Sequence, residues 1–455
     1  MSDSVPRSLR QDAVTIWQAG VSAVRSDQLV RNVVRRSNDT LVVCGHEFSV
    51  SKLGKIVVVG AGKAGAGMAA GLEEALGADV VDDKVVGWVN VPADCVRSLR
   101  KIHLHAARPA GINEPTAAGV EGTEKILELV SQVGPDDLCL VLLSGGGSAL
   151  LPAPVPGVSL LDKQAVTRFL SEAGANITEL NTVRKQLSRI KGGGLARALS
   201  TGMMVTLIIS DVVGDPLDII ASGPTVPDSS MPADALAVLN RFETAASEIP
   251  QSVFDFLTAE AAKTHSKPAS ISGVFNHIIG NNDVAINAAV KKAQELGYPV
   301  HAIRSRDQGE ATRTGFEIAE VCKTVRDVNW PVPPPACFIT GGEPVVLFSK
   351  TDQPRKGGRN QQLVLSALNY FWDDGMNGIG ILSGGTDGED GPTDAAGAVA
   401  DSDLLLAARR LGLNPQRYLD VQNAYPFFEA AGGLLKTGPT HTNVMDLRVA
   451  IVAKG

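Results

Sequence analysis

The chain has 455 residues, 44% hydrophobic and 20% charged, with a formal net charge of -7. That length exceeds a single compact core and points to two or three domains. Lys and Arg are dispersed among Asp and Glu, which excludes the basic face or stripe of a nucleic-acid surface, so any anionic ligand must be caught locally.

The opening MSDSVPRSLRQDAVTIWQAG lacks an apolar stretch of signal-peptide length, and no later segment reaches the roughly 18 apolar residues of a membrane span. A cytoplasmic protein is expected. Five cysteines (Cys44, Cys95, Cys139, Cys322 and Cys337) form no C-x-x-C pair, which excludes a zinc knuckle and suits a reducing compartment. Val14, Trp17, Val21, Val24 and Leu29 fall near one helical face, so residues 11–36 read as one or two structural helices.

From residue 55 onward short apolar runs alternate with Ala-rich amphipathic segments: KIVVVG, AGMAAGLEEAL, VVGWVNV, TAAGVEGTEKILELV, LCLVLLSGGG. This alternation predicts βαβ units and a parallel sheet. MVTLIISDVVGD reads as a further strand after a helix in GGLARALS. Composition shifts between Ser222 and Ser272, the candidate domain junction. A second α/β pattern follows, from VFNHIIGNNDVAINAAVKKAQELGYPVHAI through the Pro-rich connector NWPVPPPAC to CFITGGEPVVLF. We expect a domain over residues 1–265 and a second over 266–455.

Four Gly-rich polar loops follow these strands: GAGKAG, LLSGGGSALLPAP, ITGGEPVV and LSGGTDGEDGPTDAAG. Backbone N–H groups in such loops approach anions closely. Gly60, Gly62 and Gly65 match G-x-G-x-x-G, but a nicotinamide site commonly places an acid at the end of the second strand, and VVGWVNV ends at Asn90 and Val91. The alternative is a tight strand-to-helix turn. A Walker G-x-x-x-x-G-K-[ST] is absent.

Lys63 stands among those glycines, and Asn181, Arg184, Lys185 and Lys191 in LNTVRKQLSRIKGGGLA offer amide and cationic contacts to a carboxylate or phosphate, or a solvated helix face. Asp211, Asp215, Glu343, Asp387, Glu389, Asp390 and Asp394 are hard oxygen donors suited to Mg²⁺, although half or more are expected as caps and Asx turns. Arg359 opens a predicted helix after a glycine pair. Ser148 lacks a G-x-S-x-G elbow, and His441 reads best as a turn residue.

With GAGKAG, LSGGGSALLPAP, LNTVRKQLSRIKGGGLA, SDVVGDPLDIIASGPTVPD, TGGEPVV, GGRNQQLVL, SGGTDGEDGPTDAAGAVAD and GPTHTNVMDL in one order, the chain resembles the class II glycerate kinases (glycerate 2-kinases) from about residue 11 to its end. The resemblance implies two unlike α/β domains with the active site in the cleft between them. The first is Rossmann-like, a mostly parallel sheet with helices on both faces; the second is smaller and MOFRL-type from about residue 335. It further implies ATP- and Mg²⁺-dependent phosphorylation of D-glycerate at its 2-hydroxyl, giving 2-phosphoglycerate and ADP. The family's motif lysine falls on Lys63 and its motif arginine on Arg359.

On this reading Lys63, Arg359 and, as base, Asp211 are catalytic. Gly62, Ser144, Gly145, Gly146, Gly147, Ser148, Asn181, Arg184, Lys191, Glu343 and Asn360 bind substrate or nucleotide. Asp211, Asp387 and Asp394 hold the metal. The expected partners are small molecules, with no nucleic acid or membrane, and a monomer or homodimer. The competing expectation is an NAD(P)H-dependent hydroxypyruvate reductase.

Overall fold

The computed structural model describes residues 8–242, 249–263, 271–303, 308–349 and 352–454. Its contacts divide the chain into two units, one formed by Ser26–Ile279 and the other by Met1–Arg25 with Gly280–Gly455. The expected boundary at 265/266 lies outside the described residues; the units meet at Ile279, and the first helix belongs with the carboxyl-terminal unit.

In the Ser26–Ile279 unit, β1 (Val34–Ser37), β2 (Thr40–Val43) and β3 (His46–Ser49) form a small antiparallel meander. Strands of four residues carry too little alternation to be distinctive in the sequence. The main sheet follows: β4 (Ile56–Ala61), β5 (Val85–Pro92), β6 (Ile102–Arg108), β7 (Leu138–Leu143), β8 (Met203–Ile209) and β9 (Val274–Gly280), in the order β6-β5-β4-β7-β8-β9. The pairs from β6 to β8 are all parallel. Every residue of β4 and β7 is buried, which is why both read as unbroken apolar runs.

Counted within the sheet, this is the doubly wound order 3-2-1-4-5-6. Chain direction across the sheet reverses between β4 and β7, where the loops beyond the strand ends diverge and ligands of such sheets bind. The two loops there are GAGKAG and SGGGSA.

In the other unit β10 (Val300–Ile303), β11 (Ala336–Gly342), β12 (Ile379–Gly385), β13 (Gly397–Ala400), β14 (Leu434–Leu435) and β15 (Asp446–Val452) follow the order β10-β11-β15-β12-β13-β14. Among the described strands of this sheet only β10 and β11 pair in parallel; β15 runs antiparallel between β11 and β12. Along β15, Leu447, Val449 and Ile451 join one apolar cluster while Ala450 and Val452 join another. The first of these faces is covered by the helices Leu9–Ala23 and Asn282–Glu295.

That packing explains why the first helix leaves its sequence neighbours. Ala13, Ile16, Trp17 and Val21 make the apolar stripe that the face of β15 requires. The Trp17 indole donates to the Gly384 carbonyl at 3.2 Å, and Tyr298 Oη donates to Asp12 Oδ2 at 2.7 Å.

Candidate active site

The first cluster forms where β4 and β7 end. A Cβ on Gly60 would stand 2.1 Å from the Leu142 carbonyl oxygen, and one on Gly62, where φ is +147°, 2.0 Å from Ser144 Oγ. Glycine is therefore required by the close approach of two strands and of two loops. The loops are laced together: Ser144 N–H donates to the Ala61 carbonyl at 3.1 Å, Lys63 N–H to the Gly145 carbonyl at 3.0 Å, and Ala64 N–H to Ser144 Oγ at 3.0 Å.

Around the left-handed Gly146, a Cβ would lie 3.4 Å from Arg108 Nη2 and 3.7 Å from Lys63 Cγ. Lys63 and the buried Arg108, at the end of β6, thus flank the SGGG turn. Where the reductase reading needs an acid, the Asn90 amide donates to the Leu150 carbonyl at 2.8 Å, and its carbonyl accepts from Trp88 Nε1 at 3.2 Å. Asn90 is a packing group at the position of a ribose ligand.

Deeper in the same unit, Ser148 Oγ accepts from Arg184 Nη2 at 2.6 Å and from Lys191 Nζ at 2.9 Å. With both lone pairs taken, its proton goes to Ser222 Oγ, 2.9 Å away, which donates to Asn181 Oδ1 at 3.3 Å. Lys191 Nζ also reaches the Ser148 carbonyl at 2.8 Å. Lys163, on the helix Leu160–Glu172, is buried with 8% exposure and lies within reach of the Arg184 charge.

Burial lowers the pKa of all three cations, and Arg184 adds repulsion on both lysines. Lys191 falls well below its ordinary value and Lys163 to about 7. Lys185 has a different part: its ammonium meets Asp218 at 3.3 Å and Asp228 at 3.5 Å, an internal ion pair. Asp211 lies two residues beyond β8, partly exposed.

The second cluster belongs to the other unit. Arg359 begins the helix Arg359–Tyr370 and grips Asp446 with two bonds, Nε to Oδ2 at 2.7 Å and Nη2 to Oδ1 at 3.0 Å, while Nη1 reaches Glu343 Oε1 at 2.9 Å. Burial pulls the Arg359 pKa down, but Asp446 and Glu343 outweigh it and raise it above its ordinary value. Asn360 Nδ2 donates to Asp446 Oδ1 at 3.0 Å.

Asp390 caps this helix, accepting the Asn360 N–H at 3.0 Å and the Gln361 N–H at 2.8 Å, and burial pushes its carboxyl up to about 7. Burial also raises Glu343, with Asp446 and Asp387 adding to it. A Cβ on Gly385 would lie 3.0 Å from Asp387 Oδ1 and 3.6 Å from Asp446 Oδ1, so both carboxylates approach this glycine.

Of the expected metal set, Asp211 belongs to the Ser26–Ile279 unit, and Asp387 and Asp394 belong to the other. Among the described residues no group of three or more His, Cys, Asp or Glu is placed to hold a metal ion. Asp394 is exposed and committed elsewhere, with Tyr425 Oη at 2.6 Å and Lys436 Nζ at 2.8 Å, contacts that hold its pKa near about 2. Asp387 beside Glu343 remains compatible with Mg²⁺, which commonly takes one or two protein carboxylates and completes its shell with phosphates and water.

Sequence reasoning missed Lys163, Arg108, Ser222 and Asp446. Lys163 carried a signal, since it falls in helical register with the buried Val166 and Leu170.

A profile described as a domain of unknown function (DUF4147) matches residues 12–258, and one described as the MOFRL family matches residues 336–446. The glycerate kinase of Danio rerio is 36% identical, covering 98% of this chain and 98% of its own. The D-glycerate 2-kinase of Thermotoga maritima is 36% identical over 98% of this chain and 99% of its own length. The chain belongs to the glycerate kinase family. A crystal structure of glycerate kinase from Thermotoga maritima matches with a TM-score of 0.84 at 35% identity, covering 98% of this chain and all of that one. The first cluster falls within the matched residues 12–258 and the second within 336–446.

Proposed function

We propose that the protein transfers the γ-phosphoryl group of ATP to the 2-hydroxyl of D-glycerate, giving 2-phosphoglycerate and ADP. The observation that carries this reading is the pair of cations on Ser148, buried Lys191 and partly buried Arg184, beyond the strand ends of a doubly wound sheet and bonded to no acid among the described residues. Arg184 and Lys191 hold the glycerate carboxylate there, with Asn181 and Ser222 completing the polar wall. Lys63 and the N–H groups of the SGGG turn meet developing negative charge. Asp211 accepts the hydroxyl proton.

Arg359, held in place by Asp446, stabilises charge on the transferring group. Asp387 with Glu343 would hold Mg²⁺, which when bound with ATP neutralises phosphate charge. We further read the protein as a cytoplasmic monomer or homodimer acting on small molecules.

A coupled assay with ATP, Mg²⁺ and D-glycerate, followed by identification of the phosphoglycerate isomer, tests the reading. Consumption of NADH with hydroxypyruvate and no ADP from glycerate would overturn it. Lys63→Ala is expected to lower kcat at least about 100-fold in a folded protein; near-normal turnover would remove Lys63 from the mechanism.

A further inference from the structure

Lys163 occupies an unusual position for a lysine. It shares the buried stripe of its helix with Val166, Phe169 and Leu170, and Nζ has no hydrogen-bond acceptor. An unpaired ammonium in such a place is costly. The charges that act on it are cationic: Arg184 on the packed helix Ile177–Gln186, and Lys191 in the loop beyond.

Acids on the surrounding elements are committed elsewhere. Asp162, one residue before Lys163, accepts from Ser159 N–H at 2.9 Å and Ser252 Oγ at 2.9 Å, the latter from the packed helix Gln251–Ala261. Asp255 on that helix accepts from Gln251 at 2.9 Å. Glu179 pairs with Arg241 and with the Asn176 N–H. Asp228, which lines a cavity of about 440 Å³ with Lys191, bonds Lys185, Gln186 and Ser230. A chain with 49 acids against 42 Lys and Arg has placed three cations together and bonded none of its acids to them, among the described residues.

We propose that Lys163 is a third cationic ligand of the substrate, closing with Arg184 and Lys191 on the carboxylate of D-glycerate; this rests on the assignment of that carboxylate to the Ser148 cluster. Protonated Lys163 then finds in the substrate the counter-charge that its own protein does not supply. The consequence is proton-coupled binding. Without substrate, burial and Arg184 hold Lys163 at about 7, so above that pH much of it is neutral. A bound carboxylate favours the ammonium, so binding takes up a proton and weakens as pH rises above the free-enzyme pKa, by at most roughly tenfold per pH unit for the Lys163 proton alone. Lys191, lowered for the same reasons, contributes in the same direction.

The experiment compares wild type, Lys163→Met and Lys163→Arg. Titration calorimetry with D-glycerate at pH 8, in two buffers of different ionisation enthalpy, counts protons taken up. Steady-state assays give KM for glycerate and kcat from pH 6 to 9, and thermal melts report stability. Wild type is expected to take up close to one proton or more per site. Lys163→Met should raise KM for glycerate roughly 10- to 100-fold at pH 7 with a smaller effect on kcat, and reduce the proton uptake. It should melt no lower than wild type, because a buried unpaired amine has gone.

Lys163→Arg retains the charge at all these pH values, so its KM should stay near the low-pH wild-type value and lose most of its pH dependence. Unchanged KM and proton uptake in Lys163→Met would overturn the proposal, as would a lowered melting temperature with unchanged KM, the mark of a packing residue. If the pH-linked uptake accompanied inorganic phosphate or ADP but not glycerate, the carboxylate assignment would fall. Absence of ADP formation by wild type would instead refute the kinase reading, so the two failures are distinguishable.

Discussion

Replacing Arg359 by alanine should damage stability as well as turnover, and by an amount the geometry bounds. Asp446 is fully buried, and two of its contacts come from the guanidinium, at 2.7 and 3.0 Å. Removing Arg359 leaves that carboxylate with the Asn360 amide at 3.0 Å and no cation in contact to balance it. Breaking a buried pair from one side costs about 3–5 kcal/mol, most of it the uncompensated charge. Adding Asp446→Asn removes the charge, so the double variant should regain at least about half of the loss.

Urea unfolding reads this out through Trp17, Trp330 and Trp372 of the same unit, with Trp88 of the other unit replaced by phenylalanine. Arg359→Lys keeps one charge but not the two-bonded grip, and should be destabilised less than the alanine variant while losing turnover roughly 10- to 100-fold. A loss under about 1 kcal/mol in Arg359→Ala, or a double variant no more stable than the single, would refute the buried-pair account.

Two further outcomes follow from local geometry. Gly60→Ala sets a methyl 2.1 Å from a backbone oxygen and should cost about 3 kcal/mol or more, whereas Gly157→Ala, at φ +87° with open space around it, should cost about 1 kcal/mol; equal losses in urea midpoints would contradict the close-approach reading. Asp390 holds its proton up to about 7 when folded and releases it near 3.8 when unfolded, so the native state binds more protons between those values. Its contribution to stability therefore declines as pH rises through that window and is level above it. Asp390→Asn should remove that component of the slope, which urea midpoints at pH 5 and pH 7.5 would detect.

Much of the first sheet was legible because buried parallel strands must be continuous apolar runs, and β4, β5, β7 and β8 each announce themselves in that way. Partnership across the chain was not. The stripe of Ala13, Ile16, Trp17 and Val21 predicts a helix, but nothing local says that its partner strand, Asp446–Val452, begins over 400 residues later. The antiparallel insertion of that strand between β11 and β12 is equally invisible, since period and composition carry no direction.

The same limit decides which site residues were found. Glycines with charges beside them stand out: Lys63 and Ser148 are named from Gly-rich loops, Arg184 and Lys191 from LNTVRKQLSRIKGGGLA, and Arg359 from the glycine pair before its helix. Of the acids nominated for metal, Asp394 turned out to serve Tyr425 and Lys436, because a carboxylate's partner is a tertiary property. Asp446, which opens the strand Asp446–Val452 and holds Arg359 in place, has no glycine-rich loop around it to mark it in the sequence.

The G-x-G-x-x-G pattern is the sharpest case. Its spacing matches a dinucleotide turn because both solve one packing problem: a strand that must lie against its neighbour and then enter a helix without a side chain at the crossing. Gly60 meets the Leu142 carbonyl, Gly62 meets Ser144, and Gly65 would place a Cβ 2.9 Å from Val89 Cγ1. Those contacts account for all three glycines with no ligand invoked, so the motif alone does not distinguish pyrophosphate from another anion. What distinguishes them lies elsewhere in the unit: a buried amide, Asn90, where ribose would need an acid, and three cations, Lys163 and Lys191 buried and Arg184 partly buried, bonded to no acid among the described residues. A site that withholds counter-charge from its own cations is built for a ligand that brings it, and a small carboxylate satisfies that requirement without the long groove a dinucleotide needs.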